Sequence, residues 1–148
     1  MFRGNNPATI DDKGRLKIPT AFQDALDGYG PKFFVTSFEG TSVRIYPLAE
    51  WEKVEKQLLP VPGDKEGNKV KRQIAYRTSF WGQESRADPQ GRVLIPAHLR
   101  ESAGVQGAVA VMGRGEYLEV GGEERVRESM AKPLSDEDWD KLDGVGIR

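Results

Sequence analysis

The chain has 148 residues, of which 37% are hydrophobic and 30% are charged, a composition typical of a globular protein with a hydrated surface. It contains no cysteine, which excludes a disulfide framework, a thiol nucleophile and any cysteine metal site. No apolar run approaches the roughly 20 residues of a membrane-spanning helix, and residues 1–6 lack the apolar core of a signal peptide. We therefore expect a cytoplasmic protein that does not enter a membrane.

Charge is unevenly distributed along the chain, although the formal net charge is only −1. Residues 1–20 hold four basic and two acidic side chains, and residues 65–86 hold six basic and two acidic ones. Residues 121–148 hold five basic and eight acidic side chains. Because a polyanion responds to local charge rather than to the net value, the first two segments are candidates for contact with nucleic acid.

The first predicted elements are two short strands joined by a turn, in the stretch TIDDKGRLKIP at residues 9–19. The Asp11 carboxylate can accept hydrogen bonds from backbone N–H groups two residues later, and Gly14 adopts a positive φ at low cost. The strand after the turn is expected to place Leu16 and Ile18 on one face. Its opposite face then carries two cations, Arg15 and Lys17.

A proline ends this strand and suits the first turn of a helix, which we expect over residues 20–28 with Gly28 as its stop. Strands follow at residues 32–38 and 42–47, and the next helix lies at residues 49–58. The apolar face of that helix is formed by Trp51, Val54 and Leu58.

A further helix is predicted at residues 68–80, after a stretch rich in proline and glycine. The stretch RADPQGRVLIP at residues 86–96 then repeats the first turn and strand, with Gly91 aligned on Gly14. The later elements match as well, namely a helix closed by Gly104 and strands at residues 108–113 and 117–120. A last helix is expected to begin after Ser135 as its N-cap.

The repeat divides the chain into two modules. We assign residues 5–50 and 82–125 to the modules, residues 51–81 to connecting helices and a linker, and residues 126–148 to an acidic C-terminal tail with a helix. One module with four short strands and one small helix can hardly bury a core alone. We therefore expect the two modules to complete each other in a pseudo-twofold structure, and the predicted fold class is α+β, mainly β.

Four stretches together resemble one protein family: the opening MFRG, the phrase DDKGRLKIP, the helix start YPLAEWE and the second GRVLIP. They are similar to those of the MraZ family, which belongs to the SpoVT/AbrB-like group. The resemblance implies duplicated AbrB-like swapped-hairpin β-barrel modules with short flanking helices. It also implies a bacterial transcriptional regulator that assembles into ring-shaped homo-oligomers.

The resemblance further implies the partner. MraZ-like proteins bind double-stranded DNA at short direct repeats upstream of the division and cell-wall gene cluster, which usually begins with their own gene. A nucleoid-associated protein is thus implied, with no enzymatic activity, cofactor, metal or small-molecule substrate.

The DNA-contacting motif of the family, D-x-x-G-R, falls on Asp11, Gly14 and Arg15, and again on Asp88, Gly91 and Arg92. An arginine fork fits guanine O6 and N7, or a phosphate, while the aspartates and glycines shape the turns. The remaining candidate DNA contacts are Lys13, Lys17 and Arg3. Because the second copy has Leu94 in place of Lys17 and lacks basic neighbours in the sequence, we expect Arg92 to contribute less than Arg15.

Several plainer interpretations remain open. Each arginine could serve only to pair with the aspartate of its own turn. Asp11 and Asp12 could form a catalytic pair, and His98 could be a metal or catalytic group, although neither has the partners that such sites need. The alternative functions are an AbrB-like antitoxin or protein-interaction module and a small hydrolase. The basic stretch at residues 69–77 is expected to serve subunit packing at least as much as DNA, because the acidic tail offers it a partner.

Overall fold

The computed structural model describes residues 1–147, and its strands and helices follow the order predicted from the sequence, with one additional helix at Glu123–Ala131 that is not among the predicted elements. The strands are β1 Asn5–Ile10, β2 Arg15–Lys17, β3 Lys32–Thr36, β4 Val43–Pro47, β5 Gln83–Arg86, β6 Arg92–Leu94, β7 Gly107–Gly113 and β8 Leu118–Gly122. The helices are α1 Gln23–Leu26, α2 Leu48–Gln57, α3 Lys65–Trp81, α4 Ala97–Ala103, α5 Glu123–Ala131 and α6 Asp136–Gly144. Arg148, the last residue of the predicted tail, lies outside the described residues.

The eight strands form one antiparallel sheet in the order β5-β3-β4-β8-β7-β1-β2-β6. Strands of the two repeats are exchanged, because β1 pairs with β7 and β5 pairs with β3. The Leu94 N–H donates to the Ser85 hydroxyl at 3.2 Å, which brings β6 against β5 and nearly closes the sheet into a barrel. The predicted fold class, α+β and mainly β with a swapped arrangement of the repeats, is confirmed.

The hydrophobic core lies inside this barrel and is supplied by both repeats. Leu16 and Ile18 of the first repeat align with Val93 and Ile95 of the second, and all four side chains are buried. Successive side chains of a strand point to opposite faces. Lys17, between the two buried residues of the first repeat, and Leu94, between those of the second, therefore point outward. The duplicated sequence thus builds one shared core rather than two separate ones.

Helix α2 is fixed to the sheet by Trp51, which is 4% exposed. Its indole stacks on Phe34 with ring centroids 4.6 Å apart and meets Tyr46 edge-on at 5.0 Å. The equivalent helix of the second repeat, α5, has the half-buried Val126 at the aligned position. Of the two equivalent helices, α2 therefore carries the larger aromatic anchor.

Two predicted helix details differ in the structure. Gly104 closes α4 with φ 64°, as predicted, but Gly28 does not close α1. The C-cap of α1 is Asp27, and the positive φ of this segment falls on Gly30 at 82°. The glycine with positive φ is therefore Gly30, in the loop between α1 and β3, rather than the residue that directly follows the C-cap of the helix.

Helix α3 begins earlier than predicted and buries only the second half of its predicted inner face. Its first residue is Lys65, because the Asp64 carboxylate accepts a hydrogen bond from the Gly67 N–H at 3.1 Å and caps the helix. The helical spacing of Val70, Ile74 and Thr78 predicts one inner face, on which Thr78 is buried and Ile74 is half-buried, but Val70 is 53% exposed. The Thr36 hydroxyl donates to the Thr78 carbonyl oxygen at 2.7 Å and ties α3 to the sheet.

Candidate nucleic-acid interface

Strands β2 and β6 form a short antiparallel ribbon at one end of the sheet order. The register pairs Arg15 with Leu94, Leu16 with Val93 and Lys17 with Arg92. Leu16 and Val93 are fully buried beneath the ribbon. The four remaining side chains make up what we call the outer ribbon face: Arg15, Lys17, Arg92 and Leu94.

The two glycine turns lie at opposite ends of this ribbon. The Ile95 N–H donates to the Gly14 carbonyl oxygen at 2.9 Å, and the Ile18 N–H donates to the Gly91 carbonyl oxygen at 3.1 Å. Each turn therefore sits beside the end of the other repeat's strand. Gly14 and Gly91 are four residue positions apart along the ribbon, or about 14 Å at about 3.4 Å per residue.

An aspartate organises each turn through both of its carboxylate oxygens. In the first turn, Asp11 Oδ1 accepts from the N–H groups of Lys13 and Arg15 at 3.0 and 2.9 Å, and Oδ2 accepts from Arg15 Nε at 2.8 Å. In the second, Asp88 Oδ1 accepts from the Arg92 N–H at 2.9 Å, and Oδ2 accepts from Arg92 Nε at 2.7 Å. Both arginines are thus paired within their own turns, as the plainer interpretation proposed.

That pairing leaves most of each guanidinium available. Arg15 and Arg92 use only Nε for the aspartate, and within residues 1–147 their terminal nitrogens make no hydrogen bond. Both side chains remain accessible to solvent, at 31% and 28% exposure. The carboxylate therefore orients each planar guanidinium and leaves the N–H groups of its terminal nitrogens available to a ligand.

The aspartates are held in their charged form. A hydrogen bond from the Arg15 backbone N–H lowers the pKa of Asp11 below its ordinary value, and the Arg15 side chain adds to the effect. The pKa of Asp88 is lowered in the same way by the backbone and side chain of Arg92. Both ion pairs are consequently intact at neutral pH.

The two turns differ in what supports them from below. Gly14 and Gly91 have φ values of 83° and 76°. The Arg100 guanidinium lies directly under Gly14 and donates to the Ile95 carbonyl oxygen. The aligned residue under Gly91 is Gln23, whose amide donates to the Ile18 carbonyl oxygen at 3.4 Å. Sequence reasoning did not identify Arg100, although the alignment of Gln23 with an arginine was a visible signal.

The cross-strand register gives Arg92 of the second copy a neighbour that the sequence does not show. Lys17 of the first repeat lies directly opposite Arg92, and Arg15 faces the apolar Leu94. Arg92 therefore has in space a basic neighbour that it lacks in the sequence, because antiparallel pairing exchanges neighbours between the repeats. The smaller contribution expected of Arg92 stays a prediction. A further exposed cation, Arg86, follows Ser85 on the adjacent strand β5.

Two other predicted contacts lie in different places. Lys13 is exposed at the tip of the first turn, beside the ribbon. Arg3 lies at the far end of β1, next to the bridge in which the Phe2 N–H donates to the Gly115 carbonyl oxygen at 2.7 Å. Eight residue positions separate Arg3 from Asp11, which corresponds to about 25 Å along a strand. The structure does not bring Arg3 to the outer ribbon face.

The candidates for other chemistry have structural contacts. His98 on α4 stacks on Trp81 with ring centroids 5.5 Å apart, and its Nε2 lies 2.9 Å from the Phe80 carbonyl oxygen. Within residues 1–147, acidic side chains and the single histidine nowhere gather in threes as a metal site would require. In the same part of the chain, no helix combines the length and the apolar character needed to cross a bilayer.

Comparison with known proteins agrees with the resemblance noted in the sequence. A family model described as "MraZ protein, putative antitoxin-like" matches residues 1–68 and 82–125. A protein of Acidobacterium capsulatum named transcriptional regulator MraZ is 45% identical over 149 residues, covering 99% of this chain and 100% of the relative. Proteins of the same name from Koribacter versatilis and Neisseria meningitidis are 41% and 37% identical, covering 99% and 96% of this chain and 100% and 93% of their own lengths. The chain therefore belongs to the MraZ family.

Proposed function

We propose that the chain is a transcriptional regulator that binds promoter DNA, without enzymatic activity, through the outer ribbon face. The observation that carries the proposal is the pair of turns in which Asp11 and Asp88 orient the arginine forks of Arg15 and Arg92. The names of the relatives, which are those of transcriptional regulators, support it.

The electrostatics of the ribbon favour an anionic ligand. Like charges directly opposite each other on antiparallel strands destabilise a sheet, and Lys17 and Arg92 are such a pair. Their repulsion is relieved when a polyanion binds over them. A DNA phosphate backbone is the polyanion that a bacterial regulator meets.

The dimensions and chemistry of the ribbon suit the DNA major groove. A two-stranded β-ribbon is narrow enough to enter that groove. Arg15 and Arg92 then donate to guanine O6 and N7, Leu94 contacts a thymine methyl group, and Lys13 and Lys17 set the register through phosphates. The pseudo-twofold relation between the repeats puts Arg15 near one end of the ribbon and Arg92 near the other. The two arginines of one chain therefore read two neighbouring base positions in this proposal.

A single chain offers few net charges for this task. The ribbon and its turns hold four cations and three carboxylates, namely Lys13, Arg15, Lys17, Arg92, Asp11, Asp12 and Asp88. We therefore propose that several chains act together as a ring-shaped homo-oligomer on short direct repeats. These repeats lie upstream of the division and cell-wall gene cluster, including the promoter of its own gene, and the protein is accordingly nucleoid-associated.

Fluorescence anisotropy with DNA from upstream of the gene tests this proposal. Arg15→Ala and Arg92→Ala should each remove one bidentate contact, worth about 1–3 kcal/mol or roughly 5- to 150-fold in affinity per site. Arg127→Ala is the matched control, because Arg127 also pairs with an acidic residue four positions earlier, Glu123, but lies on α5. Wild-type affinity in both ribbon variants, or equal loss in the control, would refute the assignment.

An antitoxin-like role is the second candidate, favoured by the wording of the family description. It requires a surface that holds a partner protein, and the exposed helices of the tail are available for that purpose. One comparison distinguishes a DNA-binding regulator from an antitoxin-like protein. A regulator prefers its upstream DNA to a scrambled probe of the same length, whereas a protein-interaction module binds both probes equally weakly.

A further inference from the structure

A groove along α3 combines positive charge with exposed aromatic rings. We call it the α3 groove, and it is lined by Lys69, Arg72, Tyr76, Arg77, Phe80 and Trp81. Tyr76 is 81% exposed and Phe80 is 63% exposed. Cations alone are satisfied by water, but neighbouring exposed aromatic rings gain free energy when another surface covers them.

The groove lies between the two segments that the family model covers. The family model matches residues 1–68 and 82–125 and leaves out the segment that forms the groove. The groove is also separate from the outer ribbon face, which belongs to β2 and β6. Its aromatic character distinguishes it from a surface that only follows phosphates, and a protein surface of opposite charge is the better match.

Helix α6 has the complementary chemistry. Its nine residues include five acidic side chains and one lysine. Leu142 is half-buried, Trp139 is 39% exposed, and the other side chains of the helix are exposed. A capping box formed by Ser135 and Asp138 starts the helix. Isolated helices of fewer than about 12 residues are marginal in water even for alanine-rich sequences. A helix this short and this exposed gains stability from docking on a surface.

The spacing of side chains on the two helices matches. Arg72 precedes Tyr76 by four positions on α3, and Asp143 follows Trp139 by four positions on α6. When the helices pack antiparallel with Tyr76 against Trp139, Arg72 therefore meets Asp143. The other end of α6, at Asp136, then reaches the end of the groove where Arg77 lies. In this arrangement, one pair of opposite charges lies on each side of the contact between Tyr76 and Trp139.

We propose that α6 of one chain docks in the α3 groove of a second copy. The proposal rests on the self-assembly proposed above and names the contact that makes it. In the chain described here, α6 does not cover its own groove, since Tyr76 remains 81% exposed. A contact between two different surfaces of identical chains is heterologous, and repetition of such a contact generates a ring when the rotation closes.

A charge swap tests the contact, with molar mass measured by light scattering on the full-length protein. Arg72→Glu and Asp143→Arg should each reduce the mass from that of the wild-type assembly towards the 16.5 kDa of one chain. The second change places a cation near the C-terminus of α6, where the helix dipole favours it. Loss of assembly would therefore not reflect loss of the helix, and circular dichroism checks this directly.

Mixing the two variants distinguishes a contact between copies from one within a chain. In an equimolar mixture, the glutamate introduced at position 72 of one variant meets the arginine introduced at position 143 of the other. The remaining grooves and tails are wild type, so the mass should return towards the wild-type value. Glu137→Gln on the opposite face of α6 and Lys56→Glu on α2 are the controls and should keep the wild-type mass.

The possible outcomes separate this proposal from the proposed function. If wild-type protein is an oligomer and both variants keep its mass, the docking contact is refuted while DNA binding and assembly stand. If both variants lose mass and the mixture does not recover it, contact between copies through these residues is also refuted. A wild-type protein that is itself monomeric overturns the assembly part of the proposed function.

Discussion

Gly14 and Gly91 occupy aligned turns, yet they differ in how well they tolerate a side chain. Both have positive φ, which costs a non-glycine residue about 1–2 kcal/mol. A Cβ on Gly14 would also overlap the Arg100 guanidinium, whereas a Cβ on Gly91 would lie 3.6 Å from Gln23 Nε2, an ordinary contact. A side chain at Gly91 thus causes backbone strain only, whereas a side chain at Gly14 causes backbone strain and also displaces Arg100.

We predict that Gly14→Ala lowers the free energy of unfolding more than Gly91→Ala does, as measured by urea denaturation. The Arg100→Gln change recreates beneath Gly14 the environment that Gln23 provides beneath Gly91. Relative to Arg100→Gln alone, the added Gly14→Ala change should therefore cost no more than Gly91→Ala does in the wild type. Equal losses from the two single glycine variants would show that Arg100 yields without cost.

At the level of the elements, α2 and α5 are equivalent helices with unequal anchors. Trp51 of α2 is buried between Phe34 and Tyr46, whereas Val126 at the aligned position of α5 is half-buried. We predict that Trp51→Ala costs about 3–5 kcal/mol of unfolding free energy, in the range of large aromatic truncations. Val126→Ala removes fewer buried atoms and should cost clearly less. Chemical denaturation measures both, and similar losses would contradict the view that α2 is the better-anchored helix.

At the level of the whole molecule, the proposed assembly on direct repeats compensates for the small number of charges per chain. When identical chains face consecutive direct repeats, each later contact becomes intramolecular, and avidity gains about 10²- to 10⁴-fold. We predict that affinity rises steeply between probes with one, two, three and four repeats, measured by anisotropy at two salt concentrations. Each neutralised phosphate adds about −0.9 to the log–log slope with salt, so the slope should grow with repeat number. Equal affinity for one and three repeats would point to a single self-sufficient site.

Local patterns in the sequence were sufficient to predict most of the elements and the fold class. The D-x-x-G-R phrase predicts a turn because aspartate and glycine favour that geometry whatever surrounds them, and alternation around Leu16 predicts which side chains are buried. Predictions that depend on a helix end were less accurate. Gly28 and the start of α3 were misplaced because loop length and the Asp64 cap, rather than propensity, set those ends.

What the sequence determined by itself is the duplicated turn, the position of Arg15 and Arg92 directly after its glycine, and the need for each repeat to share a core. What only the tertiary structure decided is which side chains become neighbours. Lys17 belongs to the first repeat in sequence, but the β2–β6 register places it opposite Arg92, and Arg100 reaches Gly14 from the other repeat. The physical reason is that burial of the common core sets the pairing of strands that are distant in the chain. No local sequence pattern specifies which residue of β6 lies opposite a given residue of β2.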